Sequence, residues 1–308
     1  MNLPVVYDPD YVTPLPEGHR FPMAKFGRVY EVVREKIGSR SLDVHSPVPD
    51  PLPAIKQAHD RQYVEQFIQG ELTEDSIRDI GLPHSDGLVT RTITAVGGTL
   101  RTIDVALKTG LACNTAGGTH HAFPGQGAGF CIFNDLAVGA QTALGRSDCS
   151  SVLILDLDVH QGNGTAAFFR NEPRVHTVSF HCESNYPFDR VNGDDDFELE
   201  EGMTDNEYYR VLKQKLPSIL DNVQPDLCLY DAGVDVHKND RLGNLELTDR
   251  GLARRDQYVL ETVIERGIPT ACVIGGGYDD DIESLANRHS ILHQQALSVL
   301  KTPTADTP

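Results

Sequence analysis

The sequence predicts a single-domain, three-layer α/β/α protein built on a mainly parallel sheet, and three observations carry that expectation. Strand and helix cues alternate along all 308 residues without a low-complexity linker. The apolar runs are short and unbroken, as in strands covered on both faces. Glycine, proline and aspartate cluster directly after them, at Gly162-Asn163-Gly164, Asp231-Ala232-Gly233 and Gly275-Gly276-Gly277. Open parallel sheets bind ligands beyond the carboxyl ends of their strands, so these clusters are where a site is expected. With 39% hydrophobic residues the chain can bury a sizeable core.

Taken in order, the apolar run at 4–7 predicts a first strand, and helical periodicity over 25–36 a first helix. Residues 43–53 hold four prolines and read as an irregular surface loop. Periodicity returns over 87–108 and 134–144, and Ser-Val-Leu-Ile-Leu-Asp makes 151–156 a buried strand. Strands follow at 174–180, 226–231 and 270–274, and helices at 205–220, 249–266 and 281–300. Residues 301–308, rich in Thr and Pro, are expected to be a disordered tail.

A formal charge of −18 argues against binding to nucleic acid or to an anionic membrane surface, and would welcome a cationic substrate. The six cysteines, Cys113, Cys131, Cys149, Cys182, Cys228 and Cys272, stand singly with no C-x-x-C pair, which suits a reducing compartment. The N-terminus lacks a basic, then apolar, leader, and no run approaches the roughly 18 apolar residues of a membrane span. A cytoplasmic location is the expectation; oligomeric state is left open.

Asp156-Leu157-Asp158-Val159-His160 carries the chemistry. Alternation on a strand would put all three polar groups on one face. Burying unpaired charges costs several kcal/mol, so a divalent metal at the strand end is the economical explanation. Asp158 and His160 can share one ion, and Asp235, after another apolar run, supplies a third ligand. Two carboxylate oxygens and one imidazole nitrogen leave a position for water, as hydrolytic zinc sites require, and suit ferrous iron as well.

Two aspartates cancel much of a dication's charge, so a protein base is expected too. His120-His121, in Gly117-Gly118-Thr119-His120-His121, supplies candidates. Asp156 is placed to bond one imidazole and Asn163 the other; a carboxylate raises a histidine's pKa, whereas an amide mainly orients it. The Asn-paired ring should stay neutral near pH 7 and take the proton from water. Tyr278, after three glycines, is the candidate donor to an oxyanion. Gly125-Gln126-Gly127-Ala128-Gly129-Phe130 has neither G-x-G-x-x-G spacing nor a following Lys-Ser/Thr, which argues against a phosphate loop. It reads instead as a wall presenting Phe130, which with Tyr186 would form an aromatic channel for an alkyl chain.

In order along the chain, Gly117 to His121, Gly129-Phe130-Cys131, Asp156 to Gly164, Gly233-Val234-Asp235 and Gly275 to Tyr278 resemble the signature blocks of the zinc-dependent histone deacetylase family, within the arginase-deacetylase fold. The similarity runs over about 16–300. Gln161-Gly162-Asn163-Gly164 and Asp240-Arg241-Leu242-Gly243 are most like class IV and its bacterial relatives. The resemblance implies zinc on Asp158, His160 and Asp235, with His121 as general base and acid and His120 as its electrostatic neighbour. It implies Asp156 and Asn163 as their partners and Tyr278 as oxyanion donor. It also implies a structural potassium near Asp156, Asp158, His160, Ser179 and Phe180, held partly by backbone carbonyls, and a substrate channel at Gly129, Phe130, Tyr186 and Gly276. Some branches carry an aspartate where Asn163 stands, which bears on the basicity of His121.

The function this implies is hydrolysis of an acyl group from acyl-lysine, in protein or peptide, or from a similar acylated amine. Relatives acting on acetylpolyamines or small amides make those an alternative, and class IV resemblance raises long fatty acyl groups. A binuclear manganese ureohydrolase would show Asp-x-His-x-Asp, but Gly162 takes the place of the last acid; His237 is read as a loop residue. A non-catalytic acyl-lysine binding protein would lack a ligand, the base or the tyrosine, and this chain keeps all of them.

Overall fold

The computed structural model describes residues 1–302. Eight strands form one sheet: β1 (Leu3–Val6), β2 (Leu42–His45), β3 (Leu111–Asn114), β4 (Val152–Asp156), β5 (Val175–Cys182), β6 (Asp195–Leu199), β7 (Leu227–Asp231) and β8 (Thr270–Val273). Their order is β2-β1-β3-β8-β7-β4-β5-β6, and every neighbouring pair is parallel. The helices are α1 (Lys25–Ile37), α2 (Leu52–Ala58), α3 (Arg61–Gln69), α4 (Glu74–Ile80), α5 (Asp86–Thr109), α6 (Asp135–Leu144), α7 (Asn163–Phe169), α8 (Asp205–Val223), α9 (Asp249–Ile264) and α10 (Ile282–Lys301).

Side chains alternate across a strand, and here the alternation feeds two separate cores. Leu153 and Leu155 of β4 join Cys228 and Tyr230 of β7 in one cluster, with Val29 and Val33 of α1, Leu252 and Val259 of α9 and Leu292 of α10. Val152 and Ile154 join Leu227 and Leu229 on the other face, with Ile103 of α5, Leu136 of α6 and Phe169 of α7. A sheet covered on both faces explains why its central strands are apolar throughout. This is the open α/β arrangement that the sequence led us to expect. No helix among the described residues is long and apolar enough to cross a membrane.

The strands missing from the sequence reading are β2, β3 and β6. The two edge strands β2 and β6 are largely exposed or half-buried and carry charge, so no apolar run marks them. Strand β3 is a buried Leu-Ala-Cys-Asn of four residues directly behind α5. The region 43–53, expected to be a loop, instead holds the end of β2 and the start of α2. Pro51 caps that helix and Pro53 lies in its first turn, where a missing N–H breaks no helical bond. Of the expected tail, Lys301 closes α10; residues 303–308 lie outside the described residues.

Candidate active site

Strand β4 stops at Asp156, so the three polar groups of Asp156 to His160 do not share a strand face. Instead, Asp156 Oδ1 accepts the N–H of Asp158 at 3.0 Å, and Asp158 Oδ1 accepts the N–H of His160 at 2.9 Å. Each aspartate thus turns the chain that follows it, the local competition with extended structure that short acidic side chains favour. The turns sort the residues into two groups of buried donors. Asp158, His160 and Asp235 form one, and His120, Asp156 and Asp231 the other, with the donor atoms of each lying within 4.8 Å of one another.

In the first group, His160 Nδ1 lies 2.9 Å from Asp158 Oδ1 and 3.2 Å from Asp235 Oδ2. The N–H of Val159 donates to Asp235 Oδ1, and that of Gly276 to Asp158 Oδ2. Asp235 Oδ2 has no hydrogen-bond partner although the residue is fully buried. Burial and then the charge of Asp158 push the Asp235 carboxyl up to about 7. A Cβ at position 276 would overlap Asp235 Oδ2, so only glycine lets the loop lie this close. Two carboxylates and an imidazole around an unspent acceptor fit a divalent ion with oxygen and nitrogen ligands.

The adjacent histidines have unlike partners. His120 Nδ1–H donates to Asp156 Oδ2 at 2.7 Å, and His121 Nδ1–H to Asn163 Oδ1 at 2.9 Å, a tautomer assigned from the acceptors. Their Nε2 atoms face each other at 3.1 Å. Burial works against a charge on both rings. At His120 the carboxylates of Asp156 and Asp158 outweigh it and hold the pKa well above the usual value. At His121 burial, then the neighbouring His120 and His160, push it well below. The pair is fixed from behind: Asn134, capping α6, donates to the carbonyls of His120 and Ala122, and Asp135 takes the Thr119 N–H and hydroxyl.

Tyr278 follows the 275–277 turn, its N–H on Asp240 Oδ2 at 2.6 Å. Burial raises its phenol well above the usual pKa, which keeps it a proton donor. Its ring lies 6.3 Å from that of His160 and 5.9 Å from that of Phe130. Tyr186 packs edge-on to His121 at 4.9 Å, and Gly129 passes close enough that a Cβ would stand 2.8 Å from the His121 ring. A cavity of about 30 Å³ is lined by His120, His121, Gly129, Phe130, Gly276 and Tyr278; Tyr186 is not part of that lining. On the far side of β4, Asp156 is the register partner of Ser179 on β5, and both line a void of about 10 Å³. Ser179 Oγ is 2.9 Å from His181 Nδ1, and Phe180 is fully buried.

Several residues of this region carried no local motif. Lys25, the first residue of α1, is buried and donates to the carbonyls of Gly275 and Gly277 at 3.3 and 3.2 Å; burial lowers its pKa to about 8. Arg91 of α5, like Lys25, lines the cavity. Arg255 of α9 donates to the carbonyls of Leu157, Ala232 and Gly233, behind both metal-donor segments. Its spacing was the available signal: Leu252, Arg255 and Val259 share one helix face, which places a charge inside an apolar stripe. His237 sits in a loop outside both donor groups, its Nδ1 accepting the N–H of Asn239.

The histone deacetylase domain matches residues 19–293, a segment that contains every residue of this site. An uncharacterized protein of Picosynechococcus sp. is 50% identical over 299 residues, 97% of this chain and 100% of that one. Histone deacetylase 2 of Arabidopsis thaliana is 36% identical over 204 residues, 63% of this chain and 53% of its own. The acetoin utilization protein AcuC of Staphylococcus aureus is 30% identical over 251 residues, 72% of this chain and 62% of its own. The alignments therefore cover less than two thirds of either of the last two proteins. Matched across most of its length, the chain belongs to the histone deacetylase family.

Proposed function

We propose that this chain is a zinc-dependent hydrolase that removes an acyl group from acyl-lysine, or from a similar acylated amine, and that residues 1–308 form one catalytic unit. The observation that carries the reading is the unlike pairing of His120 with Asp156 and His121 with Asn163, directly beside the donors Asp158, His160 and Asp235. Bound there, zinc would supply Lewis acidity toward the amide carbonyl and toward water; ferrous iron suits the same donors.

The protein groups divide the remaining work. His121, its Nδ1–H held by Asn163, keeps Nε2 as its unprotonated nitrogen, which would take a proton from the attacking water. His120, held by Asp156, bears positive charge beside the developing negative charge. The Tyr278 phenol donates to the oxyanion, on which the amide's electrons collect. Proton return to the departing amine falls to the histidine pair. Phe130 and Tyr186 would flank the aliphatic stem of the substrate, with Gly129 and Gly276 leaving room for it. A potassium ion near Asp156, Asp158, His160, Ser179 and Phe180 belongs to the same reading, supported by the void between Asp156 and Ser179. Six free, buried cysteines support a cytoplasmic setting.

The test is turnover of acetyl-, trifluoroacetyl- and long-acyl-lysine peptides by zinc-loaded protein, with acetylated polyamines alongside. Tyr278→Phe should lower kcat by about 10²–10³-fold, the usual cost of one oxyanion donor, with zinc content unchanged. Tight binding of every peptide without turnover would favour a reader of acyl-lysine over an enzyme. An unchanged rate in the tyrosine variant would remove that residue from the mechanism.

A further inference from the structure

The sheet buries a second carboxylate that the mechanism above leaves unused. Asp231 ends β7 as the register partner of Asp156 on β4, is 0% exposed, and has no hydrogen-bond partner on either carboxylate oxygen. Neighbouring acids are served. Asp135 accepts from Thr99, Gly118 and Thr119, Asp156 from Asp158 and His120, and Asp158 from His160 and Gly276. An ionised carboxylate left bare in this setting costs several kcal/mol.

The surrounding backbone encloses Asp231 closely. Gly118 and Gly275 both have positive φ, at 84° and 58°, a conformation glycine adopts without strain. A Cβ at position 118 would stand 2.7 Å from Asp231 Oδ2, and one at 275 would overlap Oδ1. These two loops carry the histidine pair and Tyr278, and they bring no side-chain donor to the carboxylate. The cavity of about 30 Å³ reaches Gly118, His120 and Gly275, which gives the enclosure an opening toward the active site.

We propose that the carboxylates of Asp231 and Asp156 form a second cation site that takes a small, hard dication of the magnesium or manganese class. Two carboxylates balance a dication's charge, and carboxylate oxygens with no thiolate select this class. The site is separate from Asp158, His160 and Asp235. It also lies on the β7 side of Asp156, whereas Ser179 lies on the β5 side. An ion there ties the end of β4 to the end of β7, where the two acids are register partners. The competing occupant is a proton, since burial and then the charge of Asp156 push the Asp231 carboxyl well above its usual pKa. A proton, however, provides only one donor for two bare oxygens.

The probe is Mn²⁺ alone, added to zinc-loaded protein. Anomalous diffraction on either side of the manganese and zinc edges locates each ion, and thermal denaturation reads the linkage. The site predicts a manganese peak between Asp231 and Asp156 and a Tm that rises with Mn²⁺. Both should vanish in Asp231→Asn, while zinc stays with Asp158, His160 and Asp235. Absence of a manganese peak at Asp231 in the unmodified protein overturns the proposal and assigns the proton instead. A peak and a Tm shift that persist in Asp231→Asn overturn it equally. Should that variant fail to fold, the anomalous map of the unmodified protein decides alone.

Discussion

His120 and His121 are neighbours in the chain whose pKa values shift in opposite directions: burial acts on both, nearby carboxylates outweigh it at His120, and the charges of His120 and His160 add to it at His121. Asp156 gives His120 a charge to pair with; Asn163 gives His121 only a dipole. Asn163→Asp should therefore raise the pKa of His121. In the proposed mechanism the base works in its neutral form, so a higher pKa moves the acid limb of the kcat/KM profile to higher pH and lowers activity most below neutrality. A pH profile with an unmoved acid limb would contradict this division of roles. Residues of this kind were legible because they lie in short contiguous blocks, such as His120-His121 or Asp156 to His160. Lys25, Arg91 and Asp231 reach the same region from distant helices and strands, and only the packed sheet reveals what they touch.

Between β4, β7 and α9, position is set by backbone contacts more than by motif. Asp156 and Asp231 end adjacent strands in register, and the segments that follow carry Asp158, His160 and Asp235. Arg255, paired with Asp256 and fully buried, spans from α9 to the carbonyls of Leu157, Ala232 and Gly233. Removing one member of a buried pair strands the other, so Arg255→Ala should destabilise the fold by about 3–5 kcal/mol. Arg255→Lys should recover only part of this, because an ammonium lacks the planar fork that reaches several carbonyls. Urea denaturation and zinc affinity measure both effects; an alanine variant with unchanged stability and zinc binding would show that α9 does not hold the site. Apart from the four-residue β3, the inner strands and the long helices were readable from apolar runs and periodicity. Strands β2 and β6 were not, because an edge strand pairs through its backbone while its side chains stay polar.

Over the whole molecule, a charge of −18 favours the approach of cations to a deep site. For an acyl-lysine peptide flanked by Lys and Arg, kcat/KM should fall as ionic strength rises from about 0.01 to 0.15 M, where the Debye length shrinks from about 30 to 8 Å. A neutral acylated amine should show little change, and equal salt dependence for both substrates would remove steering from the account. The central claim is the proposal that Asp158, His160 and Asp235 hold one ion, with His121 and Tyr278 acting beside it. Its most direct test strips the protein with a chelator and returns zinc stepwise while deacylation of an acyl-lysine peptide is followed. Activity should be lost on stripping and return in proportion to zinc up to the first equivalent per chain; undiminished turnover by metal-free protein, or no turnover after zinc is restored, would contradict it.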